Sequence, residues 1–318
     1  MILLREAVDR YIEWRVAHGA RFTASANILH LFCKYIGEDV RCDAVCETDI
    51  LGFLAAGKSP LTRYRANKYS ALAGFWRYAI SRGYTTRSPL PAPDDEPRKP
   101  QSAPPYVYSR DELRRLFGAI DIGRRGSVQL DGDTLRALLL LLYGAGLRHG
   151  EALRLTLDDV DLPDALLTIR NTKFFKTRLV PVGPQLADAL RAYAVKRVER
   201  VLPKGAASTF LANRDGTPLA QGTVRNAFAK LLREAGIEGG NDGRRAPCLH
   251  SLRHAAAVHR MTSWYRQGAN VQRLLPALST WLGHAHLDGT QVYLSMTPEL
   301  LHQASIRFDS YVHGESHE

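Results

Sequence analysis

Seven of the chain's sixteen prolines fall between Pro89 and Pro105, mixed with Asp94, Asp95, Glu96, Arg98, Lys99 and Ser102. Proline fixes φ and removes a backbone donor, so such a stretch resists helix and sheet alike and favours extended conformations. Residues 89–105 therefore read as an interdomain linker, which divides the 318 residues into a segment 1–88 and a larger one from 106 onward. With 45% hydrophobic and 24% charged residues, collagen-like, disordered and disulfide-scaffold folds are excluded.

The first segment carries apolar residues at helical spacing: Val8, Tyr11 and Ile12, then Ile28, Leu29, Phe32 and Ile36, then Ile50, Phe53 and Leu54, then Leu72, Phe75, Trp76 and Ala79. Four or five short helices are predicted. Within it, residues 50 to 93 hold seven basic side chains (Lys58, Arg63, Arg65, Lys68, Arg77, Arg82 and Arg87) and no acidic one. A solvated helix usually mixes signs, so a one-sign run beside an aromatic face suggests a helix laid along a phosphate backbone; an ordinary exposed face is the plainer alternative.

The second segment is mixed. Ser109 and Glu112 form a capping box for a helix through Leu116, and Thr134 to Leu142 is an apolar helix ending near Gly144. Ala165 to Arg170 and Arg178 to Val182 read as two strands around NTKFFKT, a β-hairpin. Further helices are predicted over 184–201, 221–235, 250–266, 271–282 and 287–295. The acidic run Asp158, Asp159, Asp161 and Asp164 reads as a solvated turn. The fold class is mainly α with one small sheet, an α+β protein.

The formal charge is +11, from 43 Lys and Arg against 32 Asp and Glu, which points to a polyanionic partner. Both segments share it: residues 1 to 105 carry 15 basic and 11 acidic side chains, the rest 28 and 21. A membrane is the weaker option, because the longest apolar stretch, Ala137 to Leu147, has 11 residues where a span needs about 20. The N-terminus MILLREAVDR interrupts any signal-peptide core with charges, and four cysteines (Cys33, Cys42, Cys46, Cys248) without a CxxC fit a reducing cytoplasm.

Several residues could carry chemistry, each with a plainer alternative. Arg148 follows GAGL, with Glu151 three residues on and able to sit against it. Lys173 and Lys176 sit at the hairpin tip with Arg170 and Arg178 flanking, which suits a nucleic-acid groove or merely a soluble edge strand. In HSLRH, His250 and Arg253 share one face at a helix start, a place favourable to an anion. His250 and His254 at i,i+4 could instead hold a metal, but the zincin glutamate is missing and an arginine on that face would repel a cation. His284 lies nine residues before Tyr293 in LGHAHLDGTQVY.

Taken in order, GAGLRHGEALRL, the hairpin lysine, HSLRH and LGHAHLDGTQVY resemble the active-site signature of the tyrosine recombinase (phage integrase, Xer-like) superfamily, over essentially the whole chain. The stretch between Arg253 and His284 is long for a compact Xer-type enzyme and resembles recombinases of transposon-like elements. The resemblance implies a helical core-binding, SAM-like domain in 1–88, a catalytic domain in 106–297, and a tail in 298–318 that docks on a neighbouring protomer. It implies Tyr293 as nucleophile, Arg148 and Arg253 as a phosphate clamp, Lys173 as general acid, and His250 and His284 as supporting histidines, with Glu151 beside Arg148. Lys58, Arg63, Arg65, Lys68, Arg77, Lys176 and Arg178 are the expected DNA contacts. Thr172 and Phe174 stand where family members commonly have glycines, so the choice between Lys173 and Lys176 rests on the register of KTRLVPV.

Chemistry agrees with that set. Displacing an alcohol from a phosphodiester adds charge to the non-bridging oxygens, which guanidinium forks bind in a fixed geometry. A phenol, with pKa near 10, needs its proton drawn away, a task for an imidazole such as His250. The expectation is a site-specific DNA recombinase that clamps double-stranded DNA and works as a homotetramer, or a heterotetramer with related recombinases, in the cytoplasm at the nucleoid. No cofactor and no metal is implied, because the phosphoester energy is retained in the enzyme link. Alternatives are a type IB topoisomerase-like relaxing enzyme, a non-catalytic sequence-specific DNA-binding protein, and a zinc hydrolase built on His250, His254, His284 and His286.

Overall fold

The computed structural model describes residues 2–20, 22–56, 63–92, 104–122, 130–170, 177–200, 202–239, 245–284, 288–291, 293, 302, 305 and 306. The chain divides into two compact units, one ending at Ser102 and the other beginning at Ala103. The proline stretch from 93 to 103, the tail but for three residues, and Lys58, Lys173, Lys176 and His286 lie outside the described residues.

Among the described residues the first unit holds four α-helices: α1 (Leu4–Ala17), α2 (Thr23–Ile36), α3 (Glu47–Ala55) and α4 (Arg63–Ser81). They meet where the apolar spacing predicts, around Val8, Leu29, Phe32, Ile50, Leu72, Phe75 and Trp76. Burial of such side chains is what holds four short helices together, each contributing about 1.5–3 kcal/mol. One expected DNA contact belongs to this interior. Lys68 is 4% exposed, and its ammonium donates to the carbonyls of Phe53 and Ala56, both at 2.7 Å, while sitting over the Phe53 ring. It satisfies the open C-terminal carbonyls of α3, a favourable place for a cation, and is removed from the DNA-facing set. Of the rest of that set, Arg77 is exposed and Arg65 half-buried on α4, and only the backbone of Arg63 is described. Cys33 and Cys42 are buried, which pushes both thiols up to about 12 and keeps them protonated.

The second unit is built around α6 (Gly132–Gly144), which packs against α5 (Arg110–Ile122), α8 (Pro184–Val198) and α10 (Leu249–Arg266). That encirclement explains the apolar run from Ala137: Leu138, Leu139, Leu141 and Leu142 are all buried in one core. Among the described residues no helix is long and apolar enough to cross a membrane. Asp131 caps α6 by accepting from the Thr134 N–H at 2.9 Å. The predicted capping box opens α5, Ser109 N–H donating to Glu112 at 2.7 Å and Glu112 N–H to the Ser109 hydroxyl at 3.1 Å.

Among the described residues the sheet has three antiparallel strands in order: β1 (Val160–Asp161), β2 (Leu166–Ile169) and β3 (Arg178–Pro181). The predicted pair is β2 and β3, with Leu167 opposite Val180 and both buried. β1 escapes sequence reading because two residues carry no alternation. The acidic run that spans it is only partly solvated. Asp159 is buried, where it accepts from the Thr156 N–H and hydroxyl and from Arg170, so one member is structural. The unit closes with α9 (Gln221–Glu234), α11 (Val271–Leu282) and α12 (Asp288–Gln291).

Candidate active site

Two glycine turns bring the key side chains to one place. Gly146, at φ +60°, turns the chain after α6 so that Arg148 becomes the N-cap of α7 (His149–Ala152). Gly283, at φ +68°, caps α11 and sends the chain back across its end, with the His284 N–H reaching the Ser279 carbonyl at 3.0 Å. The carbonyls of these two glycines then hold the two arginines. Arg253, one turn into α10, donates to the Gly146 carbonyl at 2.5 Å and to the Leu282 carbonyl. Arg148 donates to the Gly283 carbonyl at 2.8 Å.

Neither glycine tolerates a side chain. A Cβ on Gly146 would lie 2.5 Å from the Trp281 ring, and one on Gly283 would lie 2.7 Å from the Arg178 guanidinium. Gly146→Ala therefore combines left-handed strain of about 1–2 kcal/mol with overpacking of about 1–3 kcal/mol. Thermal unfolding should show a destabilisation of about 2–5 kcal/mol, and an unchanged Tm would contradict this.

Glu151 organises the cations. It is 5% exposed and accepts from Arg148 at 2.8 Å, from the Arg148 backbone N–H at 2.9 Å, and from both arms of Arg178 at 2.8 and 3.0 Å. Burial alone would raise its carboxyl, but the Arg178 and Arg148 hydrogen bonds and charges outweigh that and hold it at about 2. Arg178 is thereby corrected from the list of DNA contacts. Its guanidinium is spent on Glu151 and the Trp281 carbonyl, and its side chain is 11% exposed. Arg148 keeps 38% of its side chain exposed, so it can reach an anion while anchored.

Tyr293 lies 3% exposed with its hydroxyl 3.1 Å from His254 Nδ1. Burial raises its phenol, with the Arg253 and Arg148 charges acting against that rise. His284 stacks on the Tyr293 ring at 6.1 Å between centroids, and its Nδ1 is 2.8 Å from the Thr290 hydroxyl on α12. His250 meets His254 edge to face at 4.6 Å. The structure thus places Arg148, Arg253, His250, His284 and Tyr293 around one site with Glu151 behind them. Lys173, expected here too, falls outside the described residues.

All three imidazoles are neutral at pH 7. His284 is pushed down to about 4 by burial and then by Arg253 and Arg148. His250 is likewise down to about 4, from the protein crowding it first and then Arg253, Arg148 and Arg245. The His250 residue is nevertheless exposed, so the cationic neighbours are the cause its position supports best. His254 is pushed lower, to about 3, by burial and the surrounding His250, Arg253, Arg245 and His284. Arg253 itself falls to about 10, through burial and the like charge of Arg148. Arg148, Arg178 and Arg253 set three positive charges against the one Glu151 carboxylate, an excess that favours a bound anion, and the neutral imidazoles beside them can accept protons.

Sequence reading weighed His254 only as a metal ligand, not as part of the recombinase site, and did not single out Thr290. Their signals were present, His254 at i,i+4 from His250 and Thr290 three residues before Tyr293, but both spacings also suit ordinary helix positions.

Residues 107–299 match the model of the phage integrase family. A putative integrase/recombinase of Sinorhizobium fredii, y4rE, is 35% identical over 309 residues, covering 96% of this chain and 95% of that protein. The tyrosine recombinase XerD of Caulobacter vibrioides is 32% identical, covering 78% of this chain and 74% of its own. Among solved structures, the integrase of the Tn1549 transposon, determined in complex with transposon right-end DNA, shares the fold at a TM-score of 0.68. It is 15% identical and covers 97% of this chain and 99% of that one.

Proposed function

Because the chain belongs to the phage integrase family and is a tyrosine-type site-specific recombinase, we propose that it cuts and rejoins double-stranded DNA through a 3′-phosphotyrosyl link to Tyr293. The observation that carries this reading is the buried Tyr293 hydroxyl beside a neutral imidazole, in a site where Arg148 and Arg253 are anchored by backbone carbonyls. Arg148 and Arg253 hold the scissile phosphate and stabilise the charge that grows on its non-bridging oxygens. The tyrosine oxygen bonds to phosphorus, its proton passes to an imidazole, and the bond to the 5′-oxygen breaks. That oxygen departs with a proton from Lys173. The free 5′-hydroxyl then attacks the same type of link on a partner strand, so ester energy is conserved and neither ATP nor a metal is called on.

In this reading residues 1–88 form a core-binding domain, 106–297 the catalytic domain, and 298–318 a tail that docks on a neighbouring protomer. The protein works as a tetramer on two sites, alone or with related recombinases, at the nucleoid. Exposed cations such as Arg77 supply salt-sensitive affinity for the phosphate backbone.

Two short duplexes taken from the gene's own flanks, labelled differently and incubated with the protein in the absence of ATP, test the reading. Recombinant strands of mixed label are expected. Relaxation of supercoiled DNA with no mixed strands would replace strand exchange by the one-strand chemistry of a type IB enzyme.

A further inference from the structure

We propose that His254, rather than His250, is the base that takes the Tyr293 proton during strand cleavage, through its Nδ1. The proposal rests on the function given above and assigns one of its steps to a residue outside the expected set. Among the described residues two imidazoles, His254 and His284, meet the phenol and a third, His250, packs on His254, and geometry separates them. His254 Nδ1 is at hydrogen-bond distance, 3.1 Å, from the hydroxyl, with ring centroids 5.5 Å apart and the planes tilted at 56°. His284 lies nearly parallel to the phenol, at 21°, and its Nδ1 is committed to Thr290. A stacked ring presents its face, not a lone pair, to its neighbour. His250 packs on the edge of His254 and is the more exposed of the two, which suits a ligand of the incoming phosphate.

Acceptance at Nδ1 requires the tautomer with hydrogen on Nε2, in which the Tyr293 hydroxyl donates. The balance is simple. The tyrosine oxygen forms the bond to phosphorus as its proton moves to Nδ1, and the electron pair of the breaking bond leaves with the 5′-oxygen. In rejoining, the imidazolium returns that proton to the departing phenol.

The electrostatics make this base conditional on substrate. The groups facing His254 are His250, Arg253, Arg245, His284 and Tyr293, and its basicity is depressed first by burial and then by the charges of its neighbours, Arg253 and Arg245 among them. A phosphodiester on Arg148 and Arg253 cancels part of the charge contribution, so the ring gains proton affinity when there is a phosphate to attack. Hydrolytic or misdirected reaction of the tyrosine is thereby held back until DNA is in place.

The test is His254→Asn, whose amide oxygen reproduces an acceptor near the Nδ1 position but takes up no proton. Single-turnover formation of the covalent adduct on nicked duplexes is followed from pH 6.5 to 9.5. Loss of a general base is worth about 10²–10⁴-fold, so cleavage at pH 7 should fall by about 10²-fold or more with DNA affinity unchanged. The variant's rate should then rise about tenfold per pH unit, as hydroxide replaces the base, while wild type stays nearly flat. His254→Gln, which fills more of the ring's volume, should show the same slope and guards against a folding defect. A variant as fast as wild type, a slow variant with a flat profile, or the steep profile appearing in His250→Asn instead would each overturn the assignment. If wild type itself forms no adduct, the parent function fails as well; if it does, only the role of His254 is at stake.

Discussion

Arg148→Ala should lower strand cleavage by about 10²–10³-fold, the loss expected when one preorganised donor to a developing oxyanion is removed, while leaving DNA affinity within a few-fold. The separation follows from how the side chain is held. Arg148 shares Glu151 with Arg178, and Arg178 contacts that carboxylate through two nitrogens, so the buried charge keeps a bidentate partner when Arg148 is gone. Folding should therefore survive. Affinity comes from many phosphate contacts, each with a small share, so removing one shifts the salt dependence slightly. Filter or gel binding at several salt concentrations, beside single-turnover cleavage, gives both numbers. An equal fall in affinity and rate would make Arg148 a backbone contact without a transition-state role.

Glu151→Gln acts on the same network in the opposite sense, as the largest loss of stability expected from a single site. A carboxylate that is 5% exposed balances two guanidinium groups, with the buried Arg253 close by. Removing one partner of a buried ion pair costs about 3–5 kcal/mol because the others stay behind uncompensated. For a unit of this size that is a fall in Tm of about 10 °C. The pH dependence supplies an independent reading. The Glu151 carboxyl sits at about 2 in the folded protein against an ordinary value of 4.5. Its contribution is thus fully present above pH 4.5 and is lost as pH falls through about 2. At about 1.4 kcal/mol per unit the difference is worth about 3 kcal/mol. Denaturant unfolding between pH 5 and 2 should show that loss in wild type and lack it in Glu151→Gln. Equal slopes in the two proteins would remove Glu151 from this role.

Much of this site was legible in the sequence, for a physical reason. Chemistry at a phosphodiester requires particular side-chain types, and Arg148, His250, Arg253, His284 and Tyr293 stand in an order and at separations that resemble one known arrangement. Periodicity likewise exposed the helices, because a core-facing stripe such as that of α6 is written in leucines. What stayed hidden was whatever depends on where a long side chain bends. Lys68 belongs to a one-sign basic run, but its stem turns inward and its ammonium finds the carbonyls ending α3. Arg178 flanks the hairpin among other cations, yet its fork meets Glu151, 27 positions earlier. The carbonyls of Gly146 and Gly283 were invisible for another reason: a backbone acceptor has no letter of its own. Only the left-handed turns it sits in betray it, once φ is known.

The central claim is that Tyr293 forms a covalent bond to DNA. It is tested most directly by incubating the protein with nicked suicide duplexes that trap the cleaved state, then separating the products in denaturant. Wild type should give a denaturant-stable protein–DNA adduct joined through a 3′-phosphate, with the attached peptide containing Tyr293 and a free 5′-hydroxyl on the released strand. Tyr293→Phe should bind the same duplexes and give no adduct. An adduct that persists in Tyr293→Phe, or no adduct from wild type on any duplex from its own genetic neighbourhood, would contradict the account.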